Sequence, residues 1–197
     1  MRRLAILLSG RGSNFEAIAD AVESGRIPDA RIVAVVSDVP AARGLARARE
    51  RGLPAFEIDR ARFPGRAAHE EEVLRVLEDA RPDLVCLAGY MRILSPAFVA
   101  RWRGRILNIH PSLLPRYPGT SPQKRALEAG DRESGCTVHF VDEGTDTGPV
   151  VLQRRVPIEP ADTEETLSAR ILEVEHEAYP EAIRQVLDEL GGGRPVH

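Results

Sequence analysis

Three unbroken apolar runs, at residues 4–8, 32–36 and 84–88, constrain the fold more than anything else in this sequence. A run without polar alternation marks a strand buried on both faces. Shorter runs at 55–58, interrupted by Glu57, and at 106–109, interrupted by Asn108, extend the series. Between them lie segments with helical spacing: 15–24 behind a glycine-rich turn, 41–51 ended by Gly52, and 63–80, which carries Val73, Leu74 and Leu77 and is closed by Pro82. Strands alternating with helices predict a doubly wound, mostly parallel α/β sheet of Rossmann-like type.

Beyond Pro118 the pattern changes. A helix near 123–129 precedes two strands, 136–141 and 150–156, which predict an antiparallel addition at a sheet edge, with a glycine-punctuated loop at 142–149 between them. Asp162 and Glu165 read as the capping pair of a long C-terminal helix. Its apolar face holds Leu167, Ile171, Val174, Ala178, Ile183, Val186 and Leu187. Pro180 removes one internal bond and predicts a kink, and the glycines at 191–193 end the helix.

Charge and cysteine usage exclude several classes. The net charge is −3, and Lys124 is the only lysine, so nothing resembles a surface that grips nucleic acid through phosphates. No run reaches membrane-spanning length, and residues 4–8 are too short an apolar core for a secretory signal. Cys86 and Cys136 sit in apolar runs without metal-type spacing, which predicts buried thiols in a reducing cytoplasm. His69 and His197 read as surface residues, His139 as part of an apolar strand and His176 as part of the last helix; with no His-Glu-x-x-His, no metal site is expected. Arg101-Trp102-Arg103 and Arg154-Arg155 read as solvated ends.

Chemistry concentrates in the loops after the first, fourth and fifth strands, because ligands of open α/β sheets bind outside the strands' carboxyl ends. After the first strand, Gly10-Arg11-Gly12-Ser13-Asn14 opens a helix, where backbone N–H groups and the helix dipole favour an anion. It lacks the Gly-Lys-Ser/Thr of a P-loop, and Phe15 stands near where a dinucleotide fingerprint needs its third glycine. A phosphate monoester is the leading reading. A dinucleotide with Asp38 on a ribose, as in a nicotinamide-dependent dehydrogenase, and a purely structural turn remain the alternatives.

Asn108 and His110 lie two apart on the fifth strand, so both side chains point to one face before Pro111 stops the ladder. An amide and an imidazole aimed at one carbonyl oxygen can stabilise the oxyanion of a tetrahedral intermediate. The plainer reading is a strand end tying down a proline-rich loop. Asp146, between Gly144 and Gly148, is either a solvated loop carboxylate or, if it reaches His110, a partner that favours the imidazolium. Ser112 beside His110 invites a hydrolase reading, but no Gly-x-Ser-x-Gly elbow is present.

The stretch Asn108-Ile-His-Pro-Ser-Leu-Leu-Pro115, together with Asp146 in its loop, resembles the folate-dependent formyltransferases. Ser9-Gly-Arg-Gly-Ser-Asn14, Gly89-Tyr-Met-Arg-Ile-Leu-Ser-Pro96 and Glu175-His-Glu-Ala-Tyr-Pro180 narrow the resemblance to the branch that acts on glycinamide ribonucleotide in de novo purine biosynthesis. The resemblance implies transfer of a formyl group from 10-formyltetrahydrofolate, as co-substrate and without metal, to the glycinamide amine. By position, it implies that Asn108, His110 and Asp146 are catalytic and that Gly12, Ser13 and Asn14 hold the 5′-phosphate. It assigns Glu175 to the glycinamide end, and Arg66, Met91, Arg92, Ile93, Leu94 and Asn108 to the folate.

Another 10-formyltetrahydrofolate-using transferase or a hydrolase is the alternative within the family. The sequence departs from some relatives at Ser121, Pro122 and Gln123, where they carry histidines, and at Leu172, where they carry a polar residue. The expected organisation is one domain, 1–197, with a phosphate-binding parallel half at 1–110; residues 111–197 add the catalytic loop, edge strands and last helix. Small-molecule substrates, no nucleic acid, no membrane, and a monomer or homodimer complete the expectation.

Overall fold

The computed structural model describes residues 1–191 of the chain; the end expected for the last helix at 192–193 and the place of His197 lie outside them. Seven strands, β1 (Arg2–Leu8), β2 (Ala30–Ser37), β3 (Ala55–Glu57), β4 (Leu84–Leu87), β5 (Ile106–His110), β6 (Glu133–Phe140) and β7 (Val150–Pro157), form one sheet in the order β3-β2-β1-β4-β5-β6-β7. The pairs from β3 to β5 are parallel, whereas β5–β6 and β6–β7 are antiparallel. The α-helices are α1 (Ser13–Glu23), α2 (Arg43–Glu50), α3 (Arg66–Ala80), α4 (Pro96–Arg101), α5 (Pro122–Glu128) and α6 (Glu164–Gly191).

The apolar runs sort by the two-residue period of a strand. Leu4, Ile6 and Leu8 of β1 join the core cluster that contains Phe15 and Ile18 of α1, Leu45 of α2, and Ile171 and Ile183 of α6. Ala5 and Leu7 face the other way, towards Val73 and Leu77 of α3 and Phe98 of α4. Each face of the sheet is thus sealed by helices, which is why the central strands need no polar alternation.

Several local expectations change. Helix α4 is absent from the sequence reading, although Ser95 caps it by accepting from the Phe98 N–H at 3.2 Å and Pro96 occupies its first turn. Thr163, not Asp162, caps α6: Thr163 and Thr166 exchange N–H to hydroxyl bonds at 2.9 and 3.3 Å, a capping box built from two threonines. Asp162 instead pairs with Arg170 at 2.6 Å. His69 is buried, with Nε2 2.9 Å from the Ile58 carbonyl, rather than on the surface. Trp102 is likewise buried, whereas Arg101 stays out and pairs with Glu78. As the sequence leads one to expect, α6 is a single long helix that contains Pro180 and reaches Gly191. Among the described residues, no helix is long and apolar enough to cross a membrane.

Strands β1 and β4 are neighbours, yet the chain leaves β1 towards β2 and reaches β4 from the other side of it. Their following loops therefore part company at the carboxyl edge and leave a crevice. Ser9 joins its two walls: its N–H donates to the Gly89 carbonyl at 3.0 Å, and its hydroxyl accepts from the Met91 N–H at 2.9 Å. On α6, the buried Tyr179 hydroxyl lies 3.1 Å from the Leu87 carbonyl and 3.0 Å from that of Leu107, clamping the ends of β4 and β5 beneath this crevice.

Candidate active site

Two cavities open along the crevice. One, of about 540 Å³, is lined by the turn from Ser9 to Asn14 and by Gln123, Ser168, Leu172 and Glu175. The other, of about 460 Å³, is lined by Met91, Arg92, Ile93, Leu94, Asn108, His110, His139 and Asp146, among others. Gly89, Met91, Ile109 and Pro111 line both, so the cavities meet beside the end of β5.

The first cavity is organised around the N-terminus of α1. Gly12 adopts φ +79°, and α1 begins immediately after it, two residues earlier than the apolar spacing predicts. Ser13 and Asn14 therefore belong to the first turn, whose N–H groups have no acceptor within the helix. A Cβ on Gly12 would lie 2.5 Å from the Gly44 Cα at the start of α2, so only glycine fits there. Asn14 Nδ2 donates to Glu175 Oε2 at 2.8 Å, joining α1 to α6 across 161 residues of sequence. Burial pushes the Glu175 carboxyl up to about 7, against the opposing effect of the Asn14 bond. Asp38 is buried and accepts from the Ser9 hydroxyl at 2.5 Å. That bond takes one oxygen of the carboxylate on which a dinucleotide reading depends, and the other is buried without a hydrogen-bond partner.

The second cavity gathers the polar groups of β5 with a residue from β6. In the antiparallel register Asn108 faces His139. Asn108 Nδ2 is 3.3 Å from His139 Nε2, and His139 Nδ1 donates to the Phe140 carbonyl at 2.8 Å. Asp146 lies between the two histidines, with Oδ2 3.3 Å from His110 Nδ1 and Oδ1 3.6 Å from His139 Nε2. Its Oδ2 also accepts from the Gly119 N–H at 2.8 Å. Burial opposes ionisation of Asp146, but the His139 bond, the Gly119 N–H and the positive charge available on His110 and His139 outweigh it and hold the carboxyl below its ordinary value.

The loop that carries Asp146 is ordered by its own side chains. Asp142 Oδ1 accepts from the Gly144 N–H at 3.0 Å and from the Thr147 hydroxyl at 2.7 Å. Asp146 itself has φ +56°, a left-handed conformation that aspartate tolerates better than most residues. The facing loop after β5 is fixed equally firmly. Leu114 N–H donates to the Thr137 hydroxyl at 3.1 Å, and Gln153 Nε2 donates to the Leu114 carbonyl at 2.7 Å.

His110 Nε2 lies 2.9 Å from the Tyr117 carbonyl, which can only accept, so that nitrogen carries a hydrogen. Nδ1 is left facing a carboxylate oxygen, a contact that is favourable only when Nδ1 is protonated as well. The two 3.3 Å contacts, Asn108 to His139 and His110 to Asp146, are longer than the 2.9 Å bond to Tyr117.

A model of the formyl transferase family matches residues 2–183. The chain belongs to the formyl transferase family. Its similarity to other members extends over nearly its whole length. It is 45% identical over 185 residues to phosphoribosylglycinamide formyltransferase of Escherichia coli K12, covering 94% of this chain and 87% of that one. It is 50% identical over 188 residues to the trifunctional purine biosynthetic protein adenosine-3 of Drosophila melanogaster; the match takes in 95% of this chain but only 14% of that much longer protein. The crystal structure of glycinamide ribonucleotide transformylase 1 from Geobacillus kaustophilus superposes with a TM-score of 0.91 at 48% identity, covering 95% of this chain and 99% of that one.

Within this formyl transferase fold, the sequence-derived residues separate into three groups. Asn108, His110 and Asp146 come together, as do Gly12, Ser13, Asn14 and Glu175. Met91, Arg92, Ile93 and Leu94 line the second cavity, with Met91 and Ile93 conspicuously exposed. Arg66, by contrast, is exposed at the start of α3 and lines neither cavity. Ser112 is buried and donates to the Arg116 carbonyl at 2.6 Å, which removes it as a nucleophile. His139 is the residue the sequence reading missed. The signal was its even spacing from Thr137 on a strand, but the facing of Asn108 is a matter of register.

Proposed function

We propose that this chain transfers a formyl group from 10-formyltetrahydrofolate to the glycinamide amine of glycinamide ribonucleotide, a step of purine biosynthesis. The observation that carries the reading is the meeting of the two cavities at Ile109 and Pro111, directly beside Asn108 and His110. One cavity suits a phosphate monoester and the other a flat, largely apolar donor. Relatives whose names specify phosphoribosylglycinamide formylation support the substrate assignment.

In this mechanism, the ribonucleotide phosphate sits on the Gly12, Ser13 and Asn14 turn, and Glu175 faces the glycinamide end. The folate lies along Met91, Arg92, Ile93 and Leu94; Arg66 contributes only if the donor's tail extends past the groove to α3. The amine attacks the formyl carbon, forming the new C–N bond and placing negative charge on the formyl oxygen. Asn108 Nδ2 and the His110 imidazolium donate to that oxygen, while Asp146 keeps His110 charged. The attacking nitrogen then loses a proton, the folate N10 gains one, and the C–N10 bond breaks, so protons balance. Holding both reactants in one crevice converts a two-body encounter into an internal step.

The test is a folate absorbance assay with and without glycinamide ribonucleotide. Turnover that requires the ribonucleotide supports the proposal. Turnover without it identifies a hydrolase instead, and no turnover with either overturns the transferase reading.

A further inference from the structure

The Asn14 amide can meet Glu175 in two orientations, and each requires a different charge on the carboxyl. In the structure Nδ2 donates to Glu175 Oε2 at 2.8 Å, while Asn14 Oδ1 is buried with no hydrogen-bond partner. This orientation suits an ionised Glu175, which can only accept. It leaves a bare carbonyl oxygen beside a cavity whose lining offers donors in the first-turn N–H groups and Arg11, and groups of either kind in Ser9, Ser13, Gln123 and Ser168. A buried acceptor without a donor is costly, and an acceptor beside an anion is worse. Turning the amide over removes both faults. The NH2 group then faces the anion and Oδ1 faces Glu175, which must now carry a proton to donate to it.

The charges in the cavity push the same way. Glu175 is the only acidic residue in its lining and Arg11 the only basic one, and no histidine lines it. The other titratable groups near Glu175 are Cys136 on β6, which burial pushes up to about 12, and Tyr179 on α6, which burial pushes well above its ordinary value. Both stay neutral through the physiological range. Arg154 on β7 is committed to Glu181 at 2.6 Å. A phosphate dianion entering this space therefore meets one carboxylate, and like charges in a partly buried site are relieved by protonating the weaker acid.

We infer that binding of a phosphate monoester in this cavity takes up a proton at Glu175 as the Asn14 amide turns over, making Glu175 the positioning residue that sets the phosphate donor. The inference rests on the phosphate site proposed above. Since Glu175 already titrates at about 7 in the empty site, the proton is within reach at neutral pH.

Calorimetric titration with ribose 5-phosphate, in buffers of differing ionisation enthalpy, measures the protons taken up per ligand. At pH 8 the ligand is fully dianionic, its second pKa being about 6, so any uptake belongs to the protein. The expected uptake approaches one proton, and affinity falls about tenfold between pH 8 and pH 9. Glu175→Gln can donate or accept without titrating, so its binding should release or absorb no proton and its affinity should stay flat over the same interval. Binding by the unaltered protein with uptake below about 0.2 proton overturns the inference while leaving the phosphate site intact. Equal uptake in Glu175→Gln overturns it as well, by assigning the proton elsewhere. Failure of ribose 5-phosphate to bind at any pH overturns the phosphate site itself.

Discussion

His110 Nδ1 and Asp146 Oδ2 lie 3.3 Å apart, although one belongs to a central strand and the other to the tip of an edge hairpin. The Tyr117 carbonyl, on the other side of the ring, takes the Nε2 hydrogen and so makes this contact a test of charge. Asp146→Asn keeps the left-handed backbone and the size of the side chain but removes the counter-charge. Activity should fall by about 10²-fold or more, and the alkaline limb of the rate profile should move to lower pH by about one unit. A kcat/KM profile from pH 5 to 9 measures both, and an unmoved limb refutes the pairing.

Asn108 is the donor that never titrates. Asn108→Ala should lower kcat by roughly 10²- to 10³-fold, the usual cost of losing one oxyanion donor. Steady-state kinetics at saturating folate measure it. A loss of less than about threefold removes Asn108 from that role.

Glu175 links site chemistry to stability in the unliganded protein. Its folded carboxyl titrates at about 7 against an ordinary 4.5, so the folded state holds the proton more tightly than the unfolded chain. The resulting stability is fully present below pH 4.5 and is lost as pH rises to about 7. Glu175→Gln does not titrate. Relative to it, the unaltered protein should lose about 3 kcal/mol between pH 4.5 and pH 8, read from urea unfolding midpoints at the two values. A constant difference between the two proteins contradicts the burial of this carboxyl.

Gly44 backs the turn at Gly12. A Cβ there would approach the Gly12 Cα at 2.9 Å and Leu8 Cδ2 at 2.9 Å, one backbone and one packed core side chain. Gly44→Ala should displace the turn, raising KM for the ribonucleotide about tenfold with a smaller change in kcat, and should cost about 1–3 kcal/mol in stability. An unchanged KM means the turn does not carry the phosphate.

Tyr179→Phe removes the hydroxyl that serves the Leu87 and Leu107 carbonyls. Leaving those buried acceptors short of a donor should destabilise the protein by about 1–3 kcal/mol. Thermal unfolding measures this.

Much of the molecule was legible in one dimension because its signals are local. The runs at 4–8, 32–36 and 84–88 read as central strands because they are apolar throughout, too short for a buried helix and bounded by turn or polar residues. Asn108 and His110 had to share a face, since a strand repeats every two residues. The glycine-rich turn had to open a helix, and the motif order pointed to the family. His69 defeated the reading because helical charge on its neighbours does not reveal which face packs; α4 escaped it because six residues are too few for periodicity.

Tertiary structure alone decided what depends on contacts between distant segments. Antiparallel register put His139 opposite Asn108, and the hairpin's reach put Asp146 between two imidazoles. Packing of α6 against α1 brought Glu175 to Asn14 and withdrew it from water, turning an ordinary helical acid into one that titrates near neutrality. Spacing along a chain fixes direction and face, but burial and partner are properties of the space between elements. The raised carboxyl of Glu175 and the lowered carboxyl of Asp146 follow from those two.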